Sequence, residues 1–222
     1  MSIQYHPDDD HLVRYAAGEL SEAWSLLVAT HNALCLSCRT KTRLAEAVGG
    51  VLVTDAAPTE MSVGALEATM ARALNPQDDF VVRPEPASVQ ALTAKPVLPQ
   101  PLRGYAGGDL QGLRWRRLGR GAYYVPLMSG RGAPTARLLR IPAGRPVPEH
   151  GHKGLELTMV LQGAFTDGGK RFGVGDVEAA DSDLEHQPVA EPGEDCICLA
   201  VTDAPLRFRG LFARMVQPFI GI

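Results

Sequence analysis

The 222-residue chain has the composition of an ordinary globular protein, 45% hydrophobic and 21% charged, with a net charge of −3 at pH 7. Polar residues interrupt its longest apolar runs, and the opening Met1-Ser2-Ile3-Gln4-Tyr5 has neither a basic nor an apolar leader region, so neither a membrane span nor export is expected and the cytoplasm is the expected compartment. Residues 1–83 hold six Lys/Arg against eleven Asp/Glu (−5) and residues 84–222 hold sixteen against fourteen (+2), which argues against nucleic acid as the partner of the first half.

The elements open with helices. Residues 8–17 predict a short helix with carboxylates in its first turn and Gly18 as its stop; Ser21 then caps a second, whose apolar face is Trp24, Leu27, Val28, His31 and Cys35. A third covers about 37–53, weakened at Gly49-Gly50, and a fourth covers 62–74 and stops at Asn75-Pro76. These predict a small helical bundle over residues 1–83. The prolines at 84, 86, 96, 99 and 101 each remove a donor and restrict the preceding residue, so 84–105 reads as a semi-extended linker. In 106–222, β-type segments at 122–128, 136–141, 155–162 and 196–202 recur between glycine-rich connections, as in a sandwich or barrel. The tail, 206–222, alternates basic with apolar residues and reads as a last strand or a terminal amphipathic helix.

The four cysteines come as Cys35-x-x-Cys38 and Cys196-x-Cys198, a spacing that points to metal or redox chemistry more than to a disulfide framework. His31 precedes Cys35 by one helical turn, so three soft or borderline donors converge, and a fourth would complete the tetrahedron that Zn²⁺ prefers. His6 and His11 compete for that place, with the position of His11 inside the first helix favouring His6. A thioredoxin-type redox site would need a βαβ setting that this helical segment lacks. A closed set of four donors leaves no room for a substrate, which makes the site structural or a switch.

A second cluster lies in Gly144-x5-His150-x-His152-x3-Glu156-x6-Gly163. Residues two apart in a strand point the same way, so His150 and His152 share a face, with Glu156 on an adjoining strand. This segment matches the first motif of the cupin superfamily at every defined position. The second cupin motif, G-x5-P-x-G-x2-H-x3-N, falls on Gly175, Asp181, Asp183, His186 and Ala190, so its first glycine and its histidine are kept while the proline, second glycine and asparagine are not. The resemblance implies a cupin barrel with His150, His152, Glu156 and His186 around Zn²⁺ or another divalent transition metal, since three His and one Glu suit several ions. Cys196 and Cys198 share one face of a predicted strand soon after His186, and read either as small core residues or as oxidisable thiols near that metal.

The order of the two clusters, a helical H-x24-H-x3-C-x2-C segment followed by a cupin barrel, resembles the ChrR-type anti-sigma factors of the zinc-binding anti-sigma group. Tyr5-His6-Pro7-Asp8 and Cys35-Leu36-Ser37-Cys38 stand at the places that the resemblance requires, and it spans nearly the whole chain. It implies an α+β two-domain protein whose zinc-binding helical domain holds a group IV (extracytoplasmic-function, ECF) sigma factor one-to-one, away from core RNA polymerase. His6 then joins His31, Cys35 and Cys38 as a zinc ligand, and the cupin domain is required for release in response to singlet oxygen or organic peroxide. An acidic helical half suits the basic surfaces of such a partner. The rival reading is a metal-dependent cupin enzyme, dioxygenase-like, with a regulatory helical appendage. A DNA-binding zinc regulator fits poorly with the acidic first half and the lack of a finger-like second pair.

Overall fold

The computed structural model describes residues 2–74, 96–118, 121–129, 134–204 and 207–208. Helix α1 (Asp9–Ala16) opens on Asp8, whose carboxylate accepts the His11 N–H at 2.8 Å, and carries Asp9 and Asp10 in its first turn, where the helix dipole favours negative charge. Helix α2 (Glu22–Leu34) ends at Cys35, whose backbone leaves the helical region (φ −100°, ψ 108°) and separates it from α3 (Leu36–Asp55). Helix α4 (Ala65–Leu74) follows. Helix α5 (Gln100–Ala106) forms where the sequence predicts linker: Pro101 sits in its first turn, where a missing N–H breaks no helical bond. Residues 84–95 of the expected linker, and the expected tail apart from Arg207–Phe208, lie outside the described residues.

Twelve strands are described: β1 (Arg116–Leu118), β2 (Ala122–Met128), β3 (Thr135–Ile141), β4 (His150–Gly151), β5 (Glu156–Gln162), β6 (Phe165–Asp167), β7 (Lys170–Phe172), β8 (Val177–Ala180), β9 (Glu185–His186), β10 (Val189–Ala190), β11 (Cys196–Thr202) and β12 (Arg207–Phe208). They form an antiparallel sheet in the order β1-β2-β3-β11-β5-β8 and two small sheets, β10-β6-β7 and β12-β4-β9. The α+β organisation expected from the sequence, helices and then a cupin-type β fold, is the one observed.

Every residue of β11 is buried, because both faces of the large sheet are covered. Cys196 and Cys198 point to one side, into a core with Ile141, Val160, Phe165, Phe172 and Ala190. Ile197, Leu199 and Val201 point to the other, where they meet Ala23, Trp24, Leu26 and Leu27 of α2 and Leu98 and Leu102 around α5. The helices expected as a small N-terminal bundle are observed, and α2 packs in addition against the sheet. Helix α2 is shared between a small core with α1 (Leu12, Val28, Cys35, Cys38) and the outer face of the sheet. Burying a leucine of this kind contributes roughly 1.5–3 kcal/mol, so the shared face binds the helices firmly to the sheet.

The chain divides into two compact units, Met1–Gly49 with Pro96–Ile222, and Gly50–Lys95. In the second, α4 has no buried side chain. Among the described residues no helix is long and apolar enough to cross a membrane.

Candidate metal centres

The first cluster gathers four donors within 4.8 Å of one another: His6, His31, Cys35 and Cys38. His31 ends α2 and is fully buried, its Nδ1–H donating to the Gly175 carbonyl at 3.0 Å, which leaves Nε2 as the free lone pair. Cys35 and Cys38 flank the start of α3, where the Cys38 N–H donates to the Cys35 Sγ at 3.5 Å. His6 arrives on an irregular arm, with its Nδ1 3.3 Å from His31 Nε2, 3.5 Å from Cys35 Sγ and 3.4 Å from Cys38 Sγ. His11 is held elsewhere, its Nδ1 2.6 Å from Asp8 Oδ1 and its ring edge-on to Trp24.

These spacings fit a small tetrahedral ion. With metal–nitrogen bonds of about 2.05 Å and metal–sulfur bonds of about 2.3 Å, a tetrahedron has N···N edges of about 3.3 Å and N···S edges of about 3.6 Å. The electrostatics point the same way. Burial and the adjoining Cys35 push the Cys38 thiol up to about 12, so a thiolate at Cys38 requires a cation. Burial and the neighbouring His6 hold His31 down to about 4, which keeps its imidazole neutral and able to ligate.

The second cluster is built on strands. His150 on β4 stands directly opposite His186 on β9, and His152 completes a buried trio that can hold a metal ion. His150 Nδ1–H donates to the Pro148 carbonyl at 2.8 Å and His186 Nδ1–H to Asp167 Oδ2 at 3.0 Å, so both rings turn Nε2 inward. His152 Nε2 lies 3.0 Å from His186 Nε2; two such lone pairs face each other comfortably only across a proton or a cation. Burial pushes His150 and His152 below the usual histidine range, again favouring neutral ligands.

Glu156 is not in the trio. One of its oxygens accepts from Thr158 Oγ1 at 3.1 Å and the other lies 3.9 Å from His152 Nδ1, a buried nitrogen that makes no hydrogen bond among the described residues. Two carboxyls absent from the sequence reading stand closer to His186. Asp167 and Glu178 form a second group with it in metal-holding range, and burial together with Asp167 pushes Glu178 up to about 8, so that it stays protonated and hydrogen-bonded to Asp167. The available sequence signal was weak: Glu178 is a lone carboxyl in the short strand Val177–Ala180, and Asp167 opens an Asp-Gly-Gly turn.

Cys196 and Cys198 lie with their sulfurs 3.5 Å apart and fully buried. The hydrogen bond shared with Cys196 and complete burial raise the Cys198 thiol well above its ordinary value, so Cys198 rests as a thiol and not as a nucleophilic thiolate.

Residues 105–205 match the family model described as the ChrR cupin-like domain. Over all 222 residues, and all of the relative, the chain is 52% identical to the anti-sigma-E factor ChrR of Cereibacter sphaeroides. Among solved structures it is similar to ChrR in the crystal structure of the Rhodobacter sphaeroides SigE complex with the anti-sigma ChrR, with a TM-score of 0.77 and 49% identity over 90% of this chain and 99% of that one. The chain belongs to the ChrR family of anti-sigma factors.

Proposed function

We propose that this chain is a cytoplasmic anti-sigma factor that binds one ECF sigma factor through residues 1–83 and releases it when residues 106–222, the cupin sensory part, register singlet oxygen or organic peroxide. The observation that carries this reading is the full-length similarity to a protein named for anti-sigma activity, together with the assembled donors of the first cluster. Its role is stoichiometric binding and not turnover, and it makes no direct contact with nucleic acid. Segment 84–105 joins the two parts, with α5 packed into the shared core.

In this reading His6, His31, Cys35 and Cys38 hold Zn²⁺, which fixes the start of α3 relative to α2. Helix α3 carries Leu44, Val48, Val51 and Leu52 exposed at helical spacing, an apolar stripe that a partner would cover. His150, His152 and His186 hold Zn²⁺ or another divalent transition metal, with Glu156 turning inward as the fourth ligand and Asp167 fixing the His186 ring. Cys196 and Cys198 serve as an oxidisable pair: the two thiols give up two hydrogens to a hydroperoxide, forming one S–S bond, an alcohol and water. That closure draws the sulfurs from 3.5 Å to about 2.05 Å within a packed strand and so disturbs the sheet that carries α2.

Co-expression with candidate ECF sigma factors tests the reading. Full-length protein should retain a sigma factor through purification and carry thiolate-bound zinc, while His31→Ala and Cys38→Ala should lose both. Zinc-loaded, folded protein that retains none of the candidate sigma factors would overturn it.

A further inference from the structure

Three of the four donors in the first cluster sit on the ends of helices and are buried; the fourth, His6, is exposed and lies on an arm without helix or strand. The β fold fixes where that arm lies. Asp176, itself only 6% exposed, accepts the Gln4 N–H at 2.6 Å and the Tyr5 N–H at 3.0 Å on one carboxylate oxygen, and the Gly173 N–H at 2.8 Å on the other. The Val177 N–H donates to the Tyr5 carbonyl at 3.1 Å, and the Tyr5 ring packs on Phe172 at 4.6 Å. Ile3 lies so close over Gly175 that a Cβ there would fall 2.5 Å from its Cδ1, and Gly175 also holds a positive φ of 93°, so the glycine shared with the second cupin motif is needed here for the seating of the arm. The same turn presents the Gly175 carbonyl to His31 Nδ1.

The geometry points to Asp176 as a positioning residue for the thiolate metal site. Through Asp176 and the turn 173–177, the β fold holds the arm that delivers His6 and orients the ring of His31, so two of the four ligands of a site read as belonging to the helices are set by the barrel. This rests on the reading of the first cluster as a zinc site. Its consequence is that metal retention depends on the state of the β fold: a carboxylate accepting three backbone N–H groups is a strong, charge-assisted anchor, and loosening it frees the exposed ligand first. Glu178, two residues on, is packed against Asp167 and His186, so the same short segment touches both clusters.

The test uses full-length protein loaded with Co²⁺, whose thiolate-to-metal charge-transfer absorption reports the Cys35/Cys38 site alone, and follows the loss of that band to excess chelator. Two variants loosen the arm from opposite sides: Asp176→Asn, which offers one oxygen where three N–H groups need two, and Tyr5→Ala, which removes the ring from Phe172. Each should lose the band roughly tenfold faster than wild type or more, as expected when the groups supporting a metal ligand are removed. Tyr5→Phe, which keeps the ring, should match wild type. If Asp176→Asn does not fold, Tyr5→Ala decides alone. Wild-type release rates in folded Asp176→Asn and Tyr5→Ala, with the band present, would overturn the assignment to Asp176. A wild-type protein with no thiolate band, or a band that survives Cys38→Ala, overturns instead the zinc reading on which the assignment rests.

Discussion

The two clusters differ in what holds them together before any ion arrives. In the first, the donors come from an arm, the end of α2 and the start of α3, and burial opposes the ionisation of one of them, the Cys38 thiol. In the second, His150 and His186 stand in register on paired strands with His152 just beyond β4, and the Nδ1 atoms of the first two are already engaged by Pro148 and Asp167. The first cluster therefore exists in its ligating form only with a cation, which makes metal binding and local folding one equilibrium. The second is preformed by strand pairing and by hydrogen bonds to two of its rings, so its ion can come and go while the strands persist. Such a division suits a fastener and a sensor.

The largest expected effect would break this contrast if it failed. Cys38→Ala should lose the thiolate-bound metal and, since a site held at about a thousand times its Kd stabilises by about 4 kcal/mol, should lower the thermal midpoint by roughly 8–16 °C. His150→Gln, which keeps most of the side-chain volume, should lose the barrel ion with a clearly smaller drop. Metal content and calorimetry on the full chain check both. Equal drops would mean that the two sites contribute alike to folding.

Much of this was legible in the sequence, and the remainder failed for identifiable reasons. The first donor set was readable because three of its members lie within eight residues on adjoining helix ends, and β2 and β11 were readable because alternation and apolar runs are local signals. Asp167 was not, because its partner His186 is 19 residues away on a strand of another sheet, and Asp176 was not, because it meets Gln4 across 172 residues. The apolar stripe of α2 announced that Trp24 and Leu27 would be buried but not against what. The helical bundle was legible, but the outer face of the sheet that covers α2 was not, because that contact is long-range.

That shared face gives the next expectation. Leu27 is fully buried between α2 and the sheet, so Leu27→Ala should cost about 2–5 kcal/mol, and helix and sheet signals should shift together in a single transition. Far-ultraviolet circular dichroism and Trp24 fluorescence in a Trp115→Phe background, followed in the same melt, decide it. A drop confined to the helical signal would restore the picture of two independent cores.

The smallest effect concerns the pH response of the barrel. Burial and Asp167 raise Glu178 to about 8, whereas an unfolded glutamate titrates near 4.3. Between those values the folded state keeps a proton that the unfolded state has lost, so this group contributes stability at low pH that declines as pH rises from about 4.3 to about 8. Glu178→Gln keeps the shape and a hydrogen for Asp167 but cannot ionise. In metal-free protein the variant should match wild type within about 1 kcal/mol near pH 5, as for the exchange of one buried hydrogen bond, and should lose less stability between pH 5 and 8. Denaturant midpoints at the two pH values measure the difference in slope. Parallel pH profiles would mean that Asp167 and Glu178 do not share a proton, and that the charge beside His186 is set by some other group.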